Sequence, residues 1–404
     1  MRILLLTQWF DPEPTFKGLA FARELARRGH QVQVLTGFPN YPGGKLYKGY
    51  RIRLLQHERV DGIDIVRVPL YPSHSRSRVG RIANYVSFAV AGALIGAATV
   101  TRPDVIYAYH PPATIALPAL TLRLLHRARL VFDVQDLWPD SIAATGMLSS
   151  RVVLRAVSAW CRFVYANTDH IAVLSPGFKR VLIERGVPAE KISVIYNWCD
   201  ESRLSAPHMT PQTRQPEAWI DKFLVIFAGT MGAAQSLDSV LDAAGLLQSS
   251  RPAVHFVFVG GGIDADRLAR KATELQLTNV SFLPRFDVAD IGAVLSRADA
   301  LLVHLKNEPL FNVTIPSKTQ AYMAAGRPIL MAVPGDAANV IREANCGIAC
   351  EPENPRSLAD AIERLEAMSA DERRVLGENG RRFYESAFSF NTGINRFEAI
   401  FGSS

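Results

Sequence analysis

The sequence predicts an α/β protein built from two similar parallel-sheet domains with a cleft between them. Three observations carry this prediction. Short apolar runs typical of β-strands alternate with helical patterns, a proline-rich stretch interrupts the series near residue 200, and 404 residues exceed the size of a single core. Strands that alternate with crossover helices form parallel sheets covered on both faces, and such sheets bind ligands beyond the carboxyl ends of their strands.

The amino-terminal half opens with a strand and a helix. The apolar run at residues 3–6 is too short for the core of a secretory signal, so we expect a first strand and a cytoplasmic protein. A proline-rich loop leads into a helical stretch over 18–28, which Gly29 closes as a left-handed C-cap. Further strands are predicted at 32–35, 63–68, 105–109, 130–134, 170–174 and 192–195.

The carboxyl-terminal half repeats this alternation after a break. Residues 201–221 contain three prolines and little periodic pattern, so we expect a linker there. Six more strands are predicted at 223–227, 255–259, 280–283, 300–303, 329–332 and 347–349. The predicted domains therefore cover 1–200 and 201–385, and a final helix over 386–404 is expected to cross back to the first domain.

Positive charge is concentrated in the amino-terminal half. Residues 1–200 carry a net charge of +11, whereas residues 201–404 carry −4. A basic half indicates an anionic partner, namely nucleic acid, phosphorylated lipid or a membrane surface, although a generally basic proteome is an alternative. We expect no nucleic acid, because the sequence lacks the interleaved aromatic and basic residues of single-strand platforms. The four scattered cysteines are expected to be reduced thiols.

Residues 82–101 contain no charged side chain. Twenty residues are enough to cross a bilayer of about 30 Å, but this stretch is rich in Ala and Gly and lies where the parallel strand order requires a crossover helix. We expect a helix that packs on the sheet and exposes one apolar flank to a membrane. Nearby arginines and Lys45 and Lys48 would then meet lipid phosphates. A fully buried helix and a membrane span are the alternatives.

Two glycine-rich loops follow predicted strands of the second half. Gly229, Thr230 and Gly232 follow the first strand, and Gly260 and Gly261 follow the second. Glycines let the backbone approach a ligand closely, and the amino end of a following helix can receive a phosphate. A tight turn explains one such loop equally well, but two in one domain favour a nucleotide site.

A third candidate phosphate site is the segment from Thr314 to Lys318, which opens a helix ending at Gly326. Ser317 is predicted to be the N-cap. The free amides of the first turn, together with the Lys318 ammonium, would bind a diphosphate. A capped helix with an exposed lysine is the alternative.

These motifs together resemble the family 4 retaining glycosyltransferases of the GT-B fold, which has two Rossmann-like domains. The similarity rests on Gly-Thr-Met-Gly from residue 229, Val-Gly-Gly-Gly from 259, Phe-Leu-Pro-Arg from 282, and Tyr-Met-Ala-Ala-Gly-Arg-Pro-Ile-Leu from 322. The loop before Gly18 is similar to the family's acceptor loop. Residues 38–42 and 136–141 resemble the branch that builds O-antigen and capsule repeats, including N-acetylfucosaminyl transferases.

The resemblance implies roles for individual residues. The implied catalytic group is His110, beside the reacting sugar, with Lys318 and Asp136. The implied donor-binding residues, of which the two at 285 and 286 line the nucleobase pocket, are Gly18, Gly229, Thr230, Gly232, Gly260, Gly261, Arg285, Phe286, Thr314 and Ser317. A packed neutral side chain is the alternative for His110, and a helix-capping or surface carboxylate is the alternative for Asp136 and for Asp140.

The sequence departs from the family at two places. Two family glutamates eight positions apart align with Val313 and Ala321, and the usual Arg and Lys after the first strand of the second domain are replaced by residues 233–235. Lys318 therefore becomes the main candidate cation of this domain, and backbone amides around 312–315 are candidates to replace the lost contacts.

The resemblance implies a transferase that moves a sugar, predicted to be an N-acetylated hexosamine or deoxyhexosamine, from a UDP-sugar with retention of configuration. The predicted acceptor is a polyprenyl-diphosphate-linked saccharide, reached by peripheral contact with the inner face of the cytoplasmic membrane. No cofactor or metal is expected, because Lys318, helix amino ends and loop amides can neutralise the diphosphate. A UDP-sugar epimerase and a non-catalytic scaffold for lipid-linked saccharides are the alternatives.

Overall fold

The computed structural model describes residues 1–73, 78–109, 112–144, 150–201, 204, 219–286 and 290–402. The chain divides into two compact units, one formed by Met1–Ile195 with Ile394–Ser404 and the other by Tyr196–Gly393. The predicted divisions at 200 and 385 thus fall at 195 and 393. Most of the predicted linker, residues 202–203 and 205–218, lies outside the described residues.

The first unit is built on an eight-stranded sheet. Its strands, in chain order, are β1 Arg2–Thr7, β2 Gln31–Gly37, β3 Gln56–Val60, β4 Ile63–Val68, β5 Val105–Tyr109, β6 Arg129–Val134, β7 His170–Val173 and β8 Ile192–Val194. They lie in the order β3-β4-β2-β1-β5-β6-β7-β8, and all neighbours are parallel except β3 and β4. The parallel arrangement is confirmed for the other strands, and the antiparallel edge strand β3 was not predicted, because its half-exposed sequence QHERV has no apolar run.

Six helices of this unit lie between its strands or beside them. They are α1 Leu19–Arg27, α2 Arg78–Thr99, α3 Ala116–His126, α4 Asp140–Ala144, α5 Arg151–Ala166 and α6 Pro176–Glu184. Within α2, Phe88 and Ala93 are buried, whereas Val86, Val90 and Leu94 are exposed. The helix therefore packs one flank on the protein and leaves the other open, and the alternative of a fully buried helix was wrong. By length and hydropathy alone, α2 is apolar enough to cross a membrane.

The second unit contains a six-stranded parallel sheet. Its strands are β9 Phe223–Thr230, β10 Val254–Gly261, β11 Val280–Leu283, β12 Ala300–His304, β13 Ile329–Ala332 and β14 Gly347–Ala349, in the order β11-β10-β9-β12-β13-β14. Its helices are α7 Asp238–Ser250, α8 Ala265–Glu274, α9 Ile291–Leu295, α10 Ser317–Ala325, α11 Asp336–Ala344, α12 Pro355–Glu366, α13 Ala370–Phe383 and α14 Phe390–Gly402. All six predicted strands of this half are present.

The strand order of the second sheet reverses beside β9. From β9 the chain continues outward through β10 to β11 and then returns to the other side at β12. Apolar clusters cover both faces of the sheet. The carboxyl ends of β9 and β12 therefore form a topological switch point, which is where doubly wound sheets bind ligands.

The last helix, α14, contributes its carboxyl-terminal part to the first unit. Phe397 packs edge-on against Phe21 and Tyr107, with ring centroids 5.4 and 5.1 Å apart. Glu398 also forms an ion pair with Arg28. The chain thus enters the second unit once, leaves it once, and completes the first unit with its final described residues. With two parallel-sheet, Rossmann-like units, the predicted α/β fold class is confirmed.

Candidate functional site

Helix α10 projects Lys318 toward the end of the central strand β9. Tyr322 lies one turn further along the same helix face, and its hydroxyl lies 2.9 Å from the amide nitrogen and 3.2 Å from the carbonyl oxygen of Ala228. Residues four apart on a helix share a face. The Tyr322 contact therefore fixes α10 against β9 and directs Lys318 to the switch point.

The Lys318 side chain is largely buried and lies over two residues of β9. Its Nζ is 3.4 Å from the ring centroid of Phe227, and a Cβ atom on Gly229 would lie 2.7 Å from its Cε. Burial lowers the pKa of Lys318 to about 7, and in the part of the chain that the structure describes no acidic group opposes this shift. The predicted alternative of an exposed lysine was wrong. A buried cation without a carboxylate partner is suited to bind an anion.

The start of α10 differs from the prediction. Pro316 occupies the N-cap position, and Ser317 is already the first helical residue, with no side-chain capping bond. The assignment of Ser317 as the N-cap was therefore wrong, because Pro316, with its φ fixed at −59°, takes the N-cap position and the helix starts one residue earlier than predicted. Ser317 is exposed. Among the described residues no side chain caps the amides of Ser317 and Lys318, whereas the Thr319 amide donates to the Pro316 carbonyl at 2.9 Å.

The two glycine-rich loops run against each other at the exits of β9 and β10. Gly229 and Gly260 adopt φ of 141° and 132°, and a Cβ atom on Gly260 would lie 2.2 Å from the Gly229 carbonyl oxygen. A Cβ atom on Gly262 would lie 2.1 Å from the Met231 carbonyl oxygen. Gly261 has open space around its Cα, and Thr230 beside it is exposed. The two loops thus present backbone atoms at the switch point. They lie so close together that Gly260 and Gly262 leave no room for a side chain.

A buried histidine that sequence reasoning missed holds the loop after β9. His304, the last residue of β12, places Nδ1 2.7 Å from the Gln235 carbonyl oxygen, and its Nε2 accepts from the Glu353 amide at 3.3 Å. Glu353 in turn accepts from the hydroxyl of Ser236 and the amide of Asn307. Since Nε2 accepts, Nδ1 carries the proton, and burial lowers the pKa of His304. The sequence signal that could have identified His304 was its position directly after a predicted strand.

The other donor-binding candidates of the second unit surround this edge. Arg285 is exposed after the edge strand β11, and Phe286 packs partly into the core. The Thr314 hydroxyl donates to the Leu310 carbonyl at 2.8 Å, so it closes a local turn. Gly232 starts a 3₁₀ turn, and its amide donates to the Gln235 side chain at 3.1 Å. These residues lie at the same edge of the second sheet as Lys318. Their donor-binding role stays a prediction.

The candidates of the first unit lie at the edge where its own strands end. Gly18 is the N-cap of α1, but the Asp11 carboxylate already accepts from the next amide, Leu19, at 2.6 Å. A carboxylate of the chain itself therefore occupies that helix end. Asp140 begins α4 and forms an ion pair with Arg185. His110 lies outside the described residues.

Asp136 follows β6 and is partly buried. Burial raises its pKa, and no hydrogen-bond partner of its carboxylate is found among the described residues. Its charge helps to raise the pKa of Tyr41 and Tyr85, which face the same enclosure. Trp9 stacks on Tyr41 there, with ring centroids 4.4 Å apart. An unpartnered carboxylate among aromatic rings is suited to bind a hydroxyl-bearing ligand.

Comparison with known proteins agrees with this architecture. The model of the glycosyl transferase 4-like domain matches residues 19–198, and that of glycosyl transferases group 1 matches residues 210–383. The putative colanic acid biosynthesis glycosyl transferase WcaI of Escherichia coli K12 is 28% identical over 337 residues, 81% of this chain and 82% of WcaI. The probable glycosyltransferase WbjE of Pseudomonas aeruginosa is 27% identical over 288 residues, 69% of this chain and 71% of WbjE.

Solved structures share the fold over the full chain. Anabaena HepE, solved in complex with UDP, superposes with a TM-score of 0.70 at 17% identity and covers 100% of both chains. The two sheets and the two matched domain models define a glycosyltransferase of the GT-B type. The chain belongs to the family 4 GT-B glycosyltransferases.

Proposed function

We propose that the protein transfers a sugar from a UDP-sugar, held at the switch point of the second unit, to a lipid-linked saccharide during synthesis of a surface polysaccharide. The observation that carries the donor site is the Lys318 ammonium, buried beside Gly229 and without a carboxylate partner among the described residues. The UDP complex of HepE and the colanic acid role in the name of WcaI support the donor and the pathway class.

The proposed reaction breaks the bond between the anomeric carbon and the diphosphate oxygen, and UDP leaves with the electron pair. The acceptor hydroxyl forms the new bond on the same face and gives its proton to the departing phosphate oxygen, so configuration is retained. Lys318 and the backbone amides at the start of α10 offset the charge that develops on UDP. Because these groups supply positive charge, we propose that transfer needs no metal.

The proposed acceptor is a polyprenyl-diphosphate-linked saccharide, and the proposed sugar is an N-acetylated hexosamine or deoxyhexosamine. The net charge of +11 on residues 1–200 and the exposed apolar flank of α2 support peripheral contact with the inner face of the cytoplasmic membrane. Such contact would bring the enzyme to a lipid-bound acceptor. The enclosure of Trp9, Tyr41 and Asp136 supports a saccharide-binding role for the first unit.

The test combines nucleotide binding with product analysis. We expect UDP, but not GDP, ADP or dTDP, to raise the melting temperature, and EDTA to leave this shift unchanged. UDP-N-acetyl sugars with polyprenyl-diphosphate saccharides should then give an extended lipid-linked product. Interconversion of the UDP-sugar without an acceptor would instead identify an epimerase. A folded protein that binds no nucleotide and forms no product would favour the non-catalytic scaffold.

The lowered pKa of Lys318 predicts a pH dependence of UDP binding. The free amine, with a pKa of about 7, is mostly neutral above that pH, whereas bound diphosphate favours the ammonium form. UDP binding should therefore take up a proton, and affinity should fall by up to about tenfold per pH unit above pH 7. Calorimetry in two buffers of different ionisation enthalpy measures this uptake. A pH-independent affinity between pH 7 and 9 would contradict it.

A further inference from the structure

Helices α2, α3 and α5 contain no acidic residue, although together they carry six arginines. They also hold half of the exposed large apolar side chains found among the described residues. On α2, Ile82, Val86, Val90 and Leu94 recur every four residues and so form one ridge. A surface that combines exposed aliphatic side chains with an excess of positive charge is unusual for a protein that meets only water.

The three helices lie on the same face of the first sheet. The connections from β4 to β5, from β5 to β6 and from β6 to β7 all step in one direction across the strand order. Right-handed crossovers place such connections on one face. Gly92 and Gly96 bring α2 close to α3, since Cβ atoms there would lie 3.3 Å from Pro118 and 3.7 Å from Leu122. Helix α3, packed against α2, exposes apolar side chains of its own at Leu117, Leu124 and Leu125.

A groove of about 680 Å³ opens beside α3 and α5. Leu120, Leu124 and Phe163 form its apolar wall, and Arg123, Arg127 and Arg129 line it with positive charge. Leu124 is 83% exposed and Phe163 is 53% exposed. The groove thus places three guanidinium groups beside aliphatic and aromatic side chains whose exposure to water is unfavourable.

Positive side chains outnumber negative ones in the lining of the groove. Asp169, the one acidic lining residue, accepts from Arg123 at 2.7 Å and from the Leu130 amide at 2.7 Å, so its carboxylate is already paired. Arg127 is the exposed left-handed C-cap of α3, with φ of 52°. No ion pair of Arg127 is found within the described part of the chain. The lining therefore has guanidinium charge to offer an anion.

The groove is remote from the edge where the strands of the first unit end. Arg129 is the first residue of β6, and Asp169 immediately precedes β7. Asp136, in contrast, follows the carboxyl end of β6. The groove and the candidate saccharide enclosure therefore lie at opposite ends of the same strands.

We infer that this groove binds the phosphate headgroup of an anionic membrane phospholipid, whose acyl chains meet the exposed apolar side chains of α2 and α3. Phospholipid offers phosphate and hydrocarbon side by side. The proposed polyprenyl-diphosphate acceptor does so too, but the groove lies at the strand ends opposite the candidate saccharide enclosure. A second copy of the chain fits less well, since two faces that each carry an excess of arginine repel each other. This headgroup site rests on the membrane location in the proposed function, and it lies apart from the candidate saccharide enclosure of the first unit.

Vesicle flotation tests the site. The full chain should bind vesicles of phosphatidylcholine with phosphatidylglycerol at least about tenfold more tightly than phosphatidylcholine alone. Arg127→Glu and Leu124→Asp should each weaken binding to the anionic vesicles by about tenfold or more. The control variants Arg270→Glu and Val375→Asp introduce the same two acidic side chains at exposed positions of the second unit and should bind as the wild type does. Equal melting temperatures and equal UDP-induced shifts would show that the variants are folded.

Several outcomes would overturn the headgroup site. Equal binding to neutral and anionic vesicles would show that only apolar contact holds the protein on the membrane. An equal loss of vesicle binding in the control variants would show that the net charge of the protein, and not this groove, determines binding. Competition by inorganic phosphate at millimolar concentration would indicate a soluble anion. A dimer in light scattering that Leu124→Asp dissociates would assign the surface to a second copy. Failure of sugar transfer would leave the flotation result intact, so the two proposals fail separately.

Discussion

Lys318→Met is expected to raise the dissociation constant of UDP by about 10- to 100-fold and to lower the transfer rate by about 100-fold or more. The methionine keeps an unbranched apolar chain over Phe227 and Gly229 but removes the ammonium that offsets charge on the leaving diphosphate. The free protein should be at least as stable as the wild type, because a buried charge without a partner is costly. Calorimetric titration with UDP and a product assay measure both effects.

Lys306→Ala is the matched control for this variant. Lys306 lies in the loop after β12, where its amide donates to the Ala234 carbonyl at 2.9 Å, and Lys306→Ala removes the same charge from the same unit at a position outside α10. UDP affinity should change by less than about threefold. If both lysine variants lost affinity alike, Lys318 would be one contributor to a general positive field. Unchanged transfer by Lys318→Met would refute its role in the reaction.

Gly260→Ala is expected to destabilise the second unit by about 2–5 kcal/mol. The new Cβ atom would lie 2.2 Å from the Gly229 carbonyl oxygen, and the φ of 132° is one that alanine rarely adopts. The clash involves backbone of two paired strands, so no flexible side chain can relieve it. UDP binding should weaken as well, since the two loops would separate.

Gly261→Ala provides the stability control one residue further on. No atom lies within 4 Å of a Cβ placed there, so its free energy of unfolding should stay within about 0.5 kcal/mol of the wild type. Scanning calorimetry of both variants compares the transition of the second unit. Equal stability of the two alanine variants would show that the loops are not held in the close contact described.

The strands could be predicted because parallel sheets bury both faces and so need continuous apolar runs. The same rule explains the failure at β3, an edge strand with alternating exposure whose pairing depends on β4. The contact of Lys318 with Phe227 has no local signal, since the two residues are distant in the chain. The role of His304 depends on loops 69 and 49 residues away, and only the folded chain brings them together.

The return of the chain from Ile394 onward has a consequence for biosynthesis. A ribosome delivers residues 196–393 before Phe397, so the second unit has all of its own residues while Phe21 and Tyr107 still lack their contact with Phe397. Domains commonly fold as they emerge, amino-terminal first. In this protein the first unit is synthesised first but is completed last. A nascent chain halted before residue 394 would carry a complete second unit and an unfinished first one, with aromatic surface open to chaperones.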